Sequence, residues 1–314
     1  MPWGIWKGQL AVVEDTDQKL SKRQYDLTVI VAEEMASANL PDIFIHLQPE
    51  KYPCVEFLIC SGNDDASLNG VPDNQNVRLI RARSDSRIPM LWRDGIRAAR
   101  ADKVALTTAH CVPSQTWIKQ LLAYPLEGEQ VAVGGAIENV ENDTTIGRVI
   151  YLLRYVRYTR ARPGGRADDL AADNALYRKA DILAHEDLLE IGFWEPSFHE
   201  RFLAEGKRMT FDNDLVVVHR NCYSTKQFIH QRFSHGIEFG MARAKVMNAP
   251  RRLMMIALSP LIPVVFTRKI MAAARRDKQF NLGLNRDMFW LLVFVLAWSI
   301  GETVGYAKKQ ETQS

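Results

Sequence analysis

Residues 103–113 read Lys-Val-Ala-Leu-Thr-Thr-Ala-His-Cys-Val-Pro, and the fold is decided by how this stretch is read. Lys103 to Thr107 is a short, mostly apolar run of strand type, and Thr108–Pro113 closes it as a loop. Upstream, Ile88 to Arg100 places Leu91, Ile96 and Ala99 on one helical face, and downstream Ser114 to Ala123 is again helical. Further toward the N-terminus lie three more strands, Asp26–Ala32, Val55–Cys60 and Asn76–Arg81, with a helical stretch ending near Gln48 between the first two. Strands alternating with helices predict a mostly parallel sheet with helices on both faces. Ligands of such sheets bind outside the carboxyl ends of the strands, and loops Ser61–Asp65 and Thr108–Pro113 follow two of those ends.

The second half continues the pattern. Strands are expected at Val131–Ile137, Ala175–Arg178 and Leu215–His219, and helices at Arg148–Tyr158, Ile182–Leu189, Pro196–Glu205 and Thr225–Lys245. Gly134–Gly135 lets backbone or ligand come close, Gly206 suits a helix cap, and Arg162–Arg166 is a loop by its turn chemistry.

The chain has 314 residues, with 40 Lys or Arg against 37 Asp or Glu, a formal charge of +3. That balance does not point to nucleic acid. The basic excess is local: ten Lys or Arg lie between Arg243 and Arg286, which suits an anionic membrane face. Cys54, Cys60, Cys111 and Cys222 show no CxxC spacing and read as reduced thiols. The opening residues, MPWGIWKGQL, do not have the form of a signal peptide.

Met288–Tyr306 is an apolar run of about 19 residues, roughly 28 Å as a helix and long enough to span. Trp290 and Tyr306 suit its interfaces, and Glu302 must lie near an interface or pair within a bundle. Leu253–Phe266 is shorter and contains Pro260 and Pro263, so it reads as interfacial or re-entrant.

The order of elements and four local signatures resemble the family 2 glycosyltransferases, which have the GT-A fold. They are Thr28-Val-Ile-Val-Ala with Asn39-Leu-Pro; Tyr52-Pro-Cys-Val-Glu-Phe-Leu-Ile-Cys; Gly95-Ile-Arg-Ala-Ala-Arg with Val104-Ala-Leu-Thr-Thr-Ala-His-Cys-Val-Pro and Trp117; and an acceptor-side group. That last group comprises Asp173-Asn-Ala-Leu-Tyr-Arg-Lys, Gly192-Phe-Trp-Glu, Arg201-Phe-Leu-Ala-Glu-Gly and Gln231-Arg-Phe. The likeness covers about residues 26–240. It implies an α/β, GT-A-type mostly parallel sheet flanked by helices at 26–246, to which the residue patterning adds a lead-in over 1–25 and a membrane-associated region at 247–314. In that region 253–266 would be interfacial and 288–306 transmembrane.

The resemblance also implies site residues. Glu195 falls where the family places its catalytic base, which takes the proton of the attacking acceptor hydroxyl; its plain alternative is an acid at a helix N-terminus. Trp194 beside it could stack on a sugar, though core packing suffices. His199 reads as a surface partner of Glu195 one turn on. The family's first acidic pair is replaced by Ser61–Gly62, with Asp64 and Asp65 a few residues on. The metal-binding DxD is replaced by Thr108-Ala109-His110.

His110 is open to three readings: a metal ligand, a donor to the diphosphate, or a loop histidine bonded to backbone. A conventional Mg²⁺ or Mn²⁺ site does not follow, because such hard cations prefer carboxylates, and the cofactor stays open. Asp173 and Asn174 could bind sugar hydroxyls or form an Asx turn. Gln231 and Arg232 would stand on the donor side, Arg232 meeting the departing diphosphate or lying on a solvated helix face.

The expected function is transfer of a sugar from a nucleotide-sugar donor to a lipid-linked or cell-envelope glycan acceptor, with the catalytic domain on the cytoplasmic side of the cell membrane. The rival is a degenerate member of the same fold that binds a partner or glycolipid without catalysis.

Overall fold

The computed structural model describes residues 25–34, 40–63, 70–140, 144–244, 247–275 and 286–308. One sheet organises the first two-thirds of the chain. Its strands are β1 (Leu27–Glu33), β2 (Val55–Ser61), β3 (Val77–Arg81), β4 (Lys103–Thr108), β5 (Cys111–Pro113), β6 (Gln130–Asn139), β7 (Gly165–Ala167), β8 (Ala175–Arg178) and β9 (Arg208–His219), in the order β3-β2-β1-β4-β8-β6-β9-β5, with β7 on β9. Helices α1 (Leu40–Leu47), α2 (Ile88–Ala98), α3 (Trp117–Ala123), α4 (Thr145–Tyr155), α5 (Lys179–Leu183), α6 (Glu186–Leu189) and α7 (Glu195–Ala204) cover it.

β1 shows why the sheet is buried on both faces. Leu27, Val29 and Val31 join one core layer with α1, while Ile30 and Ala32 join the other with α2. A strand covered twice must be apolar throughout, and β1 is buried along its whole length.

The sheet is mixed, not mostly parallel. Parallel pairs β2–β3, β1–β2, β1–β4 and β6–β9 are matched by antiparallel pairs β4–β8, β6–β8, β5–β9 and β7–β9. β8 is the reversing strand. It leaves a 3-10 turn at Ala172–Asn174 that Asn174 clamps, its amide donating to the carbonyls of Ala136 and Leu215 and accepting from Trp117 Nε1 at 2.7 Å. Gly135 is what allows this, since a Cβ there would strike the Leu215 carbonyl and the Asn174 amide. Asn174→Leu is expected to destabilise the domain by about 1–3 kcal/mol for each buried group it orphans. Denaturant unfolding would check this.

Other elements differ locally from expectation. β9 begins at Arg208 rather than Leu215 because its polar middle finds tertiary partners: Asp212 accepts from the Tyr124 hydroxyl, and Asn213 donates to the carbonyls of Arg160 and Arg162. The 111–113 part of the expected loop forms β5 on β9, and Gly165 opens β7 within the expected loop 162–166. The expected helix 182–189 is split around Ala184–His185 into α5 and α6.

The C-terminal third is a helical bundle of α8 (Thr225–Ala244), α9 (Ala249–Leu258), α10 (Ile262–Ala274) and α11 (Arg286–Ala307). The short segment expected at 253–266 is longer: α9 and α10 are joined through a 3-10 turn into one 26-residue helical run, Ala249–Ala274. Pro260 and Pro263 do not break it, since each falls in the first turn of an element, where a missing N–H costs no bond. That run and the 22-residue α11 are both long and apolar enough to cross a membrane. Leu253, Leu261, Val264 and Val265 on one, with Phe289, Leu296 and Ile300 on the other, leave a broad apolar surface exposed.

Contacts fix the direction of each helix. Phe228 meets Phe294, and further along Gly236 and Gly240 of α8 lie against Gly301 and Gly305 of α11, so these two helices run parallel. Any Cβ at these four positions would strike the opposite backbone, the close approach that a Gly-x-x-x-Gly face permits. Glu302 is buried there and accepts from Arg243 and, at 2.7 Å, from the Tyr306 hydroxyl, so it pairs within the bundle. The α9–α10 run is antiparallel to α11: Arg252 donates to the Tyr306 carbonyl, and the Ser299 hydroxyl to the Ser259 carbonyl. At the other end Asp287 accepts two hydrogen bonds from Arg148 of α4, and Ile270 and Ala274 join the main core.

Candidate active site at the strand ends

The carboxyl ends of β2, β1 and β4 lie side by side, with Ser61 paired to Glu33 and Thr108 to Ala32. Beyond β4 the chain turns at Ala109–His110 into β5, which brings Cys111 opposite His219 of β9. The clamped 3-10 turn delivers Asp173 to the same place.

Asp173 Oδ1 is the centre of the cluster. It accepts from the Tyr155 hydroxyl at 2.8 Å and from Thr108 Oγ1 at 3.0 Å, with Cys111 Sγ at 3.9 Å, Arg154 Nη2 at 3.5 Å and His110 Nε2 at 3.6 Å. Burial works against its charge, but the His110 ring and the Arg154 guanidinium outweigh burial and hold the carboxyl below its ordinary range. Burial, helped by the Arg154 charge, lowers the pKa of His110, and burial with the Asp173 charge pushes the Cys111 thiol up. His219 stands edge-on to His110, ring centres 5.6 Å apart, and neither of its ring nitrogens has a hydrogen-bond partner among the described residues.

One ligand atom each from His110, Cys111 and Asp173 lies within 4.8 Å of the others, and His110 Nε2 has no hydrogen-bond partner among the described residues. An imidazole, a carboxylate and a thiol that would give up its proton on binding make a donor set for a divalent cation of the borderline kind rather than Mg²⁺. The cluster differs from a carboxylate pair in drawing its acid from a distant turn. Asp173→Asn or Cys111→Ser is expected to weaken Zn²⁺ binding by at least the 10–100-fold that loss of a merely supporting group costs. Metal titration of the purified chain measures it.

A cationic wall adjoins the cluster. Arg154 lies over the Tyr155 ring at 4.9 Å, and its Nη1 has no hydrogen-bond partner among the described residues. Arg232 lies over Phe228 at 5.1 Å, and burial, then the Arg154 charge, lowers its pKa to about 10. The charges of Arg87, Arg154 and Arg232 all act on Glu34, whose carboxyl burial nevertheless keeps above the ordinary range.

Glu195 opens α7 within reach of the Asp173 and Arg154 charges. Burial first, then the Asp173 charge, pushes its carboxyl up to about 7, opposed by the backbone N–H groups of Glu195 itself and Ala172. A carboxyl poised near neutrality can exchange a proton at working pH.

The remaining expected residues fall out unevenly. Thr108, His110, Glu195 and Arg232 converge on the Asp173–Arg154 region. Ser61 is buried at the end of β2, its hydroxyl accepting from the Asn63 N–H. Gln231 accepts from Arg232 Nε at 2.7 Å. Asn174 has its amide engaged inside the fold, as described above. Asp64 and Asp65 lie outside the described residues.

His199 is not a surface partner of Glu195: it is buried, stacked on Tyr177 and 3.0 Å from that hydroxyl. Trp194 is partly exposed and stacks on His235. Arg154, Tyr155 and His219 went unread as site residues. The signal for the first two was an Arg-Tyr pair inside a helix that read only as basic and aromatic.

The fold is a remote GT-A-like one, of the kind seen in a solved glycosyltransferase, and it carries a His110–Cys111–Asp173 triad that could hold a metal ion and two membrane-length C-terminal helices. Among solved structures, the chain is similar to the mannosyltransferase PcManGT from Pyrobaculum calidifontis in complex with GDP-Man and Mn²⁺, with TM-score 0.53 and 13% identity over 89% of this chain and 87% of that one. GalNAc-T7 with UDP, GalNAc and Mn²⁺ matches over 63% of this chain and 44% of that one, with TM-score 0.46 and 13% identity. No family model and no curated protein matches the sequence.

Proposed function

We propose that the chain is a membrane-anchored glycosyltransferase that moves a sugar from a nucleotide-sugar donor to a lipid-linked or cell-envelope glycan acceptor, with inversion at the anomeric carbon. The observation that carries this reading is a carboxyl poised near pH 7, Glu195, beside a buried ligand cluster and a cationic wall at the carboxyl ends of parallel strands. Glu195 takes the proton of the acceptor hydroxyl as that oxygen attacks. Arg154 and Arg232 face the diphosphate and stabilise it as it leaves. His110, Cys111 and Asp173 would hold a divalent cation, which supplies further neutralisation of diphosphate charge. Ser61, Gln231 and, by sequence position, Asp64 and Asp65 belong to the donor side. The donor named with the similar mannosyltransferase, GDP-Man, is of this class of substrate.

The transferase domain, 26–246, faces the cytoplasm, and 247–314 is the membrane region. Its topology needs one change from the expected scheme of a single crossing. α8 climbs away from the domain, α9–α10 returns to it and α11 climbs again. Arg275 and Arg286, which flank the basic connection, therefore lie at the domain-side end of the bundle, as the positive-inside bias asks, with the α9–α10 run and α11 as its two membrane-length helices.

The test is titration of the purified full-length chain with nucleoside diphosphates and nucleotide sugars, with and without divalent metal. Saturable binding is expected, weakened by roughly tenfold in Arg154→Gln or Arg232→Gln, since hydrogen bonds to charged groups contribute about 1.5–3 kcal/mol. Mg²⁺ and Mn²⁺ should change donor affinity little, and Zn²⁺ more. Ser61 and Thr108 stand where the resembled family has carboxylates, which favours the rival reading of a non-catalytic binding protein. Donor binding without any release of nucleoside diphosphate would decide for it.

A further inference from the structure

A cavity lies away from the strand ends, where the transferase domain meets the bundle. It has a volume of about 620 Å³ and lies between the segment 156–163 and the domain-side end of α10. Its charged lining is Arg157, Arg162, Lys269 and Asp169. Asp169 is the one carboxylate for three cations, and it already pairs with Arg157 at 2.8 Å and Arg162 at 3.0 Å. Lys269 makes no ion pair among the described residues. The cavity thus has room for a second anion, in a volume typical of small-molecule sites.

What lies beside it identifies the anion's carrier. Lys269 follows Phe266 by one helical turn, and Phe266, Val265 and Val264 are exposed on the membrane-length run. An amphiphile whose phosphate entered the cavity would lay its chain along that apolar face. We propose that this cavity binds the phosphate headgroup of a lipid drawn from the bilayer.

A link to the candidate active site exists within the same segment. The Tyr158 hydroxyl donates to Asp169 at 3.1 Å, and the charge of Glu195 acts on that same hydroxyl. If the transferase reading holds, on which this one point rests, the bound lipid is the acceptor or its neighbour.

The test uses the full-length chain in a neutral detergent, titrated with short-chain phosphatidic acid, short-chain phosphatidylcholine and glycerol 3-phosphate. One saturable phosphatidic acid site per chain is expected, with phosphatidylcholine and glycerol 3-phosphate binding more weakly. Lys269→Gln and Arg157→Gln should each weaken it roughly fivefold, the effect of one basic residue near an anionic lipid. Lys119→Gln, exposed on α3, should not. Equal binding by all three variants, or glycerol 3-phosphate binding as tightly as the lipid, overturns the proposal. Donor titrations on the same samples separate the two readings: lost donor binding with retained lipid binding removes the transferase and leaves the cavity.

Discussion

Glu195→Gln is expected to lower the rate of sugar transfer by about 10²–10⁴-fold, the usual cost of losing a general base. Glutamine keeps the size and most of the hydrogen bonding of the side chain but cannot accept a proton near neutrality, so donor affinity should stay within about twofold of wild type. The pH dependence gives an independent check. The working form is the ionised carboxylate, and its pKa is raised to about 7 by burial and by Asp173. The wild-type rate should therefore fall about tenfold per pH unit below pH 7 and level off above it. The residual rate of the variant should lack that acid limb. Measured release of nucleoside diphosphate over a pH series reads both quantities. A variant with wild-type turnover would place the base elsewhere.

Gly301→Leu should have the largest effect on the bundle. A Cβ at Gly301 would strike the Phe233 carbonyl and press on Gly236. Neither is a flexible side-chain end that could swing aside. Overpacking in a tight site costs about 1–3 kcal/mol, and the upper end applies where backbone must move. The expected result is a clear drop in the thermal midpoint of the full-length chain in detergent. Transfer should fall as well, because Arg232 lies one turn from Gly236. Gly301→Ala should have the same sign and a smaller size. An unchanged midpoint in the leucine variant would show that α8 and α11 are not in contact in solution.

The first half of the fold was legible because its signals are local. Strands such as Val29–Ala32 and Leu58–Cys60 are apolar on both faces, and the helices between them repeat every turn. The second half depends on partners distant in sequence. The polar residues 212–214 continue a strand only because Tyr124, Arg160 and Arg162 receive them. The reversal of β8 follows from an Asn174–Trp117 clamp that no spacing announces.

The site divides in the same way. His110, Thr108, Glu195 and Arg232 stand near motif positions, and the sequence pointed to them. Asp173 was visible only as an acid before a short strand, and nothing local ties it to His110, 63 residues away in the chain. Surrounding packing also redirected His199. Its spacing from Glu195 suggests a shared exposed face, but α7 turns His199 inward onto Tyr177. The prolines at 260 and 263 misled for a different reason: both occupy first-turn positions, where a helix tolerates them.

The glycine contact between α8 and α11 makes the anchor a ruler rather than a tether. Arg232 and Gly236 share one rigid helix, and Gly236 touches α11 backbone to backbone, with no side chain between them to yield. In the proposed setting the depth of α11 in the bilayer thus sets the position of the cationic wall relative to the lipid headgroups. An acceptor whose reactive hydroxyl stands at the wrong height cannot be met by the protein bending toward it. Bilayer thickness would then act as a selectivity filter, and reconstitution into lipids of graded chain length should change turnover without changing donor affinity.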